Sequence, residues 1–324
     1  MGTVIVLGSI ITDLVARAPR LPLPGESLIG DEFALFLGGK GINQAIAAAR
    51  LGASVTLIGR VGTDAFGDAF FPILKQEGIN SAYVTRDPSI ATGVSTLIIA
   101  AYSGQNMIVV NQGANLTIAS ESVEEALHAA QAEHVQKQGT EKRAIFLAQC
   151  ETSSASYISG MQRAHTMGML TILNAAPIPR EQLDTALFSL IDILVVNEVE
   201  AAALAQASVT SPKEAQVAAE QLLTRGPRHV IITLGSQGCV WSTCQEKQVV
   251  HQSLPAFTIK ALDATAAGDA FCGALAACLS ENMPMLEALR CASAAGALTA
   301  TRKGAIAALP TATEVEHLLS TAEQ

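Results

Sequence analysis

The residues best placed to do chemistry stand in "LDATAAGDAFCGALAACL", Leu262 to Leu279. Two aspartates, Asp263 and Asp269, bracket a run of small residues from Ala264 to Gly268, and an apolar, alanine-rich, helix-like segment follows. A helix start carries unpaired N–H groups and a partial positive charge, so it attracts anions. Ala266, Ala267 and Gly268 have almost no side chain, which lets a phosphate approach their backbone N–H groups. Asp269 then falls in the first turn, where its carboxylate can take a proton from an attacking hydroxyl. An anion hole and a base are what phosphoryl transfer to an alcohol requires. Taken alone, an aspartate here is more often a helix cap.

A second motif adds to the first. "LGGKGINQAIAAARLGASVTLIGRVGTDAFGD", Leu37 to Asp68, sets Gly38, Gly39, Lys40 and Gly41 at the mouth of a helix. Backbone can approach a ligand there, and Asn43 offers an amide to a hydroxyl. The same glycines also serve a plain strand-to-helix turn. The Walker A pattern GxxxxGK[ST] is absent, which excludes a P-loop NTPase.

These motifs need a scaffold. Strand-like runs recur at Val4–Leu7, Val55–Ile58, Ala144–Ala148, Leu170–Leu173, Ile193–Val196 and His229–Thr233. Helix-like stretches alternate with them: Gly41–Leu51, Ala65–Glu77, Ser120–His134, Ser153–Met167, Glu198–Ala205 and Pro212–Arg225, then Asp269–Leu279 and Met285–Thr301. The alternation predicts an α/β fold with a mainly parallel sheet flanked by helices. Two segments break the rhythm. Asp13–Leu37 holds Pro19, Pro22, Pro24 and Gly25 without a helical period, and Thr92–Asn111 reads as two strands around "YSGQN". They predict a small β-sheet lid, built from insertions at about 13–37 and 92–111 of a single domain over residues 1–324. It would lie over the carboxyl ends of the main sheet, where ligands bind in open α/β folds.

Composition narrows the classes. The chain has 324 residues, 49% of them hydrophobic and 15% charged, which suits a large packed core. A net charge of −9 and 4% aromatics argue against a nucleic-acid partner. The apolar N-terminal run is too short for a membrane span, so no membrane is expected. The six cysteines form no CxxC pair or zinc spacing and read as reduced thiols of a cytoplasmic protein.

Taken together, the motifs resemble those of the ribokinase-like (PfkB) carbohydrate kinases over essentially the whole chain. "VLGSIITD" resembles the opening strand with its sugar-binding aspartate, "PLPGESLIGDEFALFLGGKGINQA" the first signature and "LVVNEVEA" the NxxE motif. "VIITLGSQG" resembles the nucleotide-binding strand, "DATAAGDAFCGAL" the second signature and "ATRKGA" a late loop. The resemblance implies a ribokinase-like fold and ATP-dependent transfer of the γ-phosphoryl group to the 5-hydroxyl of a pentofuranose. D-ribose is the first expectation; 2-deoxy-D-ribose or another sugar or nucleoside is the alternative.

It also implies roles. Asp269 is the base, and Ala266, Ala267 and Gly268 are the anion hole. Asp13, Gly39, Lys40, Asn43 and Glu151 line the sugar site, with Ile11 beside them. Asn197, Thr233, Gly235, Gly238 and Ser293 hold the nucleotide. Glu200 meets Mg²⁺ through water. Asp263, Thr265, Ala300 and Gly304 surround K⁺. The family further implies a homodimer formed through the lid. By themselves, Glu151 and Glu200 read equally as solvated charges, and Asp263 as a turn residue.

The chain departs from the family pattern in places. Ile11 stands where an asparagine usually bonds the sugar. A sugar hydroxyl facing it lacks a partner, at a cost of about 1–3 kcal/mol, which favours 2-deoxyribose. Cys150 replaces an apolar residue in "LAQCE", Ala266 stands where the broader family has glycine, and Ala307 and Ala308 replace the serine expected after "RKGA". Other classes fit less well. Hydride transfer lacks a GxGxxG after the first strand, nucleoside hydrolysis lacks an N-terminal aspartate cluster, and a non-catalytic sugar sensor would lack Asp269.

Overall fold

The computed structural model describes residues 1–138, 142–179, 183–246 and 248–322. In chain order, β1 (Thr3–Leu7), β2 (Ile11–Ala18) and β3 (Glu32–Gly38) precede α1 (Lys40–Arg50), β4 (Ser54–Gly62), α2 (Ala65–Asp68), α3 (Phe70–Gln76) and β5 (Asn80–Asp87). Next come β6 (Gly93–Ala100), β7 (Asn106–Asn111), α4 (Ser120–Gln138), β8 (Ile145–Gln149), α5 (Ser154–Thr166), β9 (Leu170–Asn174), α6 (Thr185–Phe188) and β10 (Ile193–Asn197). The last third holds α7 (Glu198–Ala205), α8 (Pro212–Leu223), β11 (His229–Thr233), β12 (Cys239–Gln245), β13 (Gln248–Leu254), α9 (Ala267–Ser280), α10 (Met285–Ala300) and α11 (Ala312–Thr321).

Nine of these strands form one sheet in the order β13-β12-β11-β10-β9-β8-β1-β4-β5. It is parallel from β11 to β5, and β12 and β13 continue it antiparallel. The reason lies in β1: all five of its residues are buried, as a strand covered on both faces requires. Val4 and Val6 point into a core shared with α1, α9 and α10, while Ile5 and Leu7 point into one shared with α4, α5 and α8. Connections diverge at β1. The chain runs through β4 and β5 on one side and through β8 to β11 on the other. The carboxyl ends of β1 and β8 therefore form a topological switch point, the place where such sheets bind ligands.

The two rhythm-breaking segments form a separate four-stranded sheet, β3-β2-β6-β7. It grows directly from the carboxyl end of β1 and returns to the start of α1. The expected helix at 65–77 is divided into α2 and α3 around Ala69. Asp64 caps the first piece through Gly67 N–H. Pro72, without an N–H, cannot donate to Asp68, which weakens continuity across the junction. The hairpin β12–β13, where polar and apolar residues mix, goes beyond the expected strands.

Two helices carry the chemistry-bearing motifs and pack on each other. In α9 a Cβ at Gly273 would stand 2.4 Å from Gln44 O and 2.6 Å from Ala47 Cβ of α1. Only glycine permits that approach. One turn earlier on α9 lies Asp269, which this packing sets against Asn43 and Gln44.

Candidate active site

The start of α1 is fixed by Gly39, whose φ is 103° and whose Cβ, if present, would lie 2.8 Å from Ser9 O and 2.9 Å from Ile11 N. Any side chain there would push α1 off the end of β1. With glycine in place, Ile42 N–H donates to Ser9 O at 3.1 Å. Lys40 N–H donates to Glu151 Oε2 at 3.1 Å, and Ser9 Oγ donates to the same oxygen. Glu151 follows β8 and Ser9 follows β1, so this contact sits at the switch point. Burial pushes the Glu151 carboxyl up, against the pull of Lys40 and these hydrogen bonds.

Asp269 joins α1 to α9. Its Oδ2 accepts from Asn43 Nδ2 at 3.0 Å and its Oδ1 from Gln44 Nε2 at 2.9 Å. The Asn43 Oδ1 is buried without a partner among the described residues. The Asp269 carboxylate, opposed by burial and helped by Glu151 and Glu200, holds the Lys40 ammonium above its ordinary value. Lys40 is thus the cation set against three carboxylates.

Helix α9 begins at Ala267, and its N-cap, Ala266, adopts the left-handed region with φ 60°. The Ala267 N–H turns back to Ala264 O at 3.2 Å. The N–H groups of Ala266 and Gly268 have no partner among the described residues. The expected anion hole is therefore open at Ala266 and Gly268 and internally bonded at Ala267. A cavity of about 540 Å³ opens beside it. Thr233, Gly235, Gly238 and Ser293 line it, as do Ala267 and Gly268. Four of the five expected nucleotide residues and two of the three anion-hole residues thus share one space.

Asn197 does not line that cavity. Its side chain accepts from Glu200 N–H at 2.8 Å, and Glu200 Oε2 accepts from Asn197 N–H at 2.8 Å, a capping box at the start of α7. Burial pushes the Glu200 carboxyl up. The residues expected around K⁺ bond to one another. Asp263 Oδ1 takes the N–H and hydroxyl of Thr265, and Oδ2 takes Gly304 N–H at 3.0 Å. The Ala300 carbonyl takes the N–H groups of Leu262 and Asp263 at 2.8 and 3.2 Å. These bonds leave the carbonyls of Thr265 and Gly304 without a hydrogen bond among the described residues, so they stay available to a cation. Among the described residues, no three His, Cys, Asp or Glu side chains converge as a metal centre.

In the small sheet, β2 already runs from Ile11, so alternation puts Ile11 and Asp13 on one face. Ile11 is 3% exposed. Asp13 Oδ1 accepts from Ser95 Oγ, its register partner on β6. Burial raises the Asp13 carboxyl, with the Ser95 bond pulling the other way. Cys150, next to Glu151, has its thiol pushed up to about 12 by burial and then by the Glu200 and Glu151 charges, so it is no nucleophile.

Sequence reasoning passed over Ser9, Gln44, Ser95, Gln149 and Asn174. A usable signal was present: Gln149 and Asn174 are polar residues ending the apolar strands β8 and β9. Carboxyl ends of parallel strands are where such residues meet ligands or the groups that serve them.

Comparison with known proteins gives the family and supports the fold. The family model described as pfkB family carbohydrate kinase matches residues 1–312. Mouse ribokinase is 37% identical over 291 residues, 89% of this chain and 86% of its own. The deoxyribokinase of Salmonella typhimurium is 30% identical over 315 residues, 97% of this chain and 98% of its own. The structure of Arabidopsis thaliana ribokinase complexed with ribose and ATP superposes with a TM-score of 0.86 at 28% identity, covering 98% of each chain. No helix among the described residues is long and apolar enough to cross a membrane. A match over nearly the full length, together with relatives at this identity, means that the chain belongs to the pfkB family of carbohydrate kinases.

Proposed function

We propose that this kinase transfers the γ-phosphoryl group of ATP to the 5-hydroxyl of D-ribose, with Asp269 as the base. The observation that carries the reading is the position of Asp269. It is held by amides from α1 and lies one residue beyond the unpaired N–H of Gly268, which lines the 540 Å³ cavity. In the reaction the 5-hydroxyl oxygen bonds to the γ-phosphorus, its proton goes to Asp269, and the bond to the β–γ bridging oxygen breaks to release ADP. The N–H groups of Ala266 and Gly268 meet the charge that develops on phosphate oxygens. Lys40 balances the surrounding carboxylates. Mg²⁺ bound with the nucleotide would supply charge neutralisation on the phosphates. Glu200 would hold it through water, since its second carboxylate oxygen is free of the capping box. Asp13, Glu151 and the unpartnered Asn43 Oδ1 supply acceptors for sugar hydroxyls. Asp263 and the carbonyls of Thr265, Ala300 and Gly304 would hold K⁺ beside the anion hole. The small sheet serves as a lid over the sugar and as the contact between two subunits.

Ile11 favours a second reading, 2-deoxy-D-ribose. It is a buried apolar side chain on the face that carries Asp13, and one of the relatives is a deoxyribokinase. A panel of pentoses, hexoses and nucleosides with ATP, read by ADP release, tests both. Turnover restricted to ribose and 2-deoxyribose is expected; turnover only with hexoses or nucleosides would overturn the reading.

A further inference from the structure

We infer that Gln44 is a positioning residue for the base: a buried ladder of amides running from β10 to α1 fixes which atom Gln44 presents to Asp269. The inference rests on the reading of Asp269 as the base. The ladder starts at a group whose chemistry is unambiguous, the Val195 carbonyl. Only an N–H can face it, so Asn174 Nδ2 does, at 3.1 Å. The Asn174 Oδ1 is then left to accept from Gln44 Nε2 at 3.0 Å. The second hydrogen of Gln44 Nε2 goes to Asp269 Oδ1 at 2.9 Å. The Gln44 carbonyl accepts from Gln149 Nε2 at 2.7 Å. Turning the Gln44 amide over would set its oxygen against two acceptors and its nitrogen against a donor. One orientation survives.

Gln44 and Gln149 are both 0% exposed, and burying amides is costly unless they are bonded. The ladder even leaves a buried acceptor, Gln149 Oε1, without a partner among the described residues. That oxygen faces Gly8, where a Cβ would come within 2.1 Å of it. An apolar residue at 44 would leave the buried Asp269 Oδ1 without its donor, so the ladder serves the carboxylate rather than packing alone. The use follows from the geometry. Gln44 pins Oδ1 and Asn43 pins Oδ2, so the carboxylate cannot rotate about its Cβ–Cγ bond. Without Gln44 it is free to turn toward the Lys40 ammonium, away from the line of attack.

The test is steady-state kinetics of the full chain with D-ribose and ATP, for Gln44→Met, Gln149→Met, Asp269→Asn and the double variant Gln44→Met/Asp269→Asn. Gln44→Met should lower kcat by about 10- to 100-fold, with KM for both substrates within about two-fold of wild type. Gln149→Met should lose less in kcat, with the same unchanged KM values. In the Asp269→Asn background, Gln44→Met should have no further effect, because the group it positions is gone. A folded Gln44→Met with wild-type kcat, a loss appearing in KM, or an equal loss in both backgrounds would overturn the inference. If Gln44→Met does not fold, Gln149→Met decides by the same kcat and KM criteria. Failure of the base reading looks different: Asp269→Asn itself would then turn over like wild type.

Discussion

On the proposal that Asp13 binds the sugar, its carboxylate must be both buried and ionised, and the two conflict. Burial raises its carboxyl above the ordinary value, against the Ser95 hydrogen bond. Such a group holds its proton more tightly in the folded than in the unfolded chain. Its contribution to stability is full below the unfolded value, about 3.9, and is lost as pH rises through the folded value. At neutral pH the ionised Asp13 therefore weighs against the fold. Asp13→Asn keeps an acceptor for Ser95 and should match or exceed the wild-type Tm at neutral pH, the difference closing below about pH 4. Ribose affinity should meanwhile fall about ten-fold or more. A clearly lower Tm at neutral pH would contradict this. Ile11 makes the opposite contribution, an apolar surface where a hydroxyl would want a partner. The ratio of kcat/KM for 2-deoxyribose over ribose should approach or exceed one. Ile11→Asn should move it toward ribose by about ten-fold. A strong wild-type preference for ribose, left unmoved by the substitution, would place specificity elsewhere.

The elements that matter most are α1 and α9, and they were legible to different degrees. Both helix starts stand out in the sequence because small residues gather before them. Their mutual packing does not, since Gly273 against Gln44 is a contact between residues far apart in the chain. The amide ladder was hidden for the same reason: a glutamine in an apolar strand looks like a strand end until its partner is seen. "NEVE" shows a further limit. Asn and Glu at that spacing suit both a phosphate site and a capping box, and Asn197 and Glu200 form the box. At the start of α9 a Cβ at Gly268 meets no atom within 4 Å, so a side chain there enters the cavity without disturbing the fold. Gly268→Leu should keep Tm within about 3 °C and lower kcat/KM for ATP by about ten-fold or more. Wild-type kinetics in that variant would remove Gly268 from the nucleotide site.

At the scale of the molecule, the parallel sheet was readable because strands covered on both faces are short, wholly apolar runs. The edge hairpin β12–β13 was not, because its exposed faces mix polar with apolar residues. The small sheet betrayed itself by the loss of helical period. All six residues of β7 are exposed, with Val109 at 61%, and Phe33 and Leu35 on β3 are exposed as well. We propose that this open apolar sheet is the surface through which two subunits pair. The protein should sediment as a dimer at micromolar concentration, and Ile108→Asp/Val109→Asp should shift it to monomer. A monomeric wild type would count against pairing through the lid. The central claim, however, rests on one carboxylate, and Asp269→Asn tests it most directly. With D-ribose and ATP, kcat should fall by about 10²–10⁴ while calorimetry still detects ribose binding. A variant that binds ribose and keeps a kcat near wild type would contradict the assignment of Asp269 as the base.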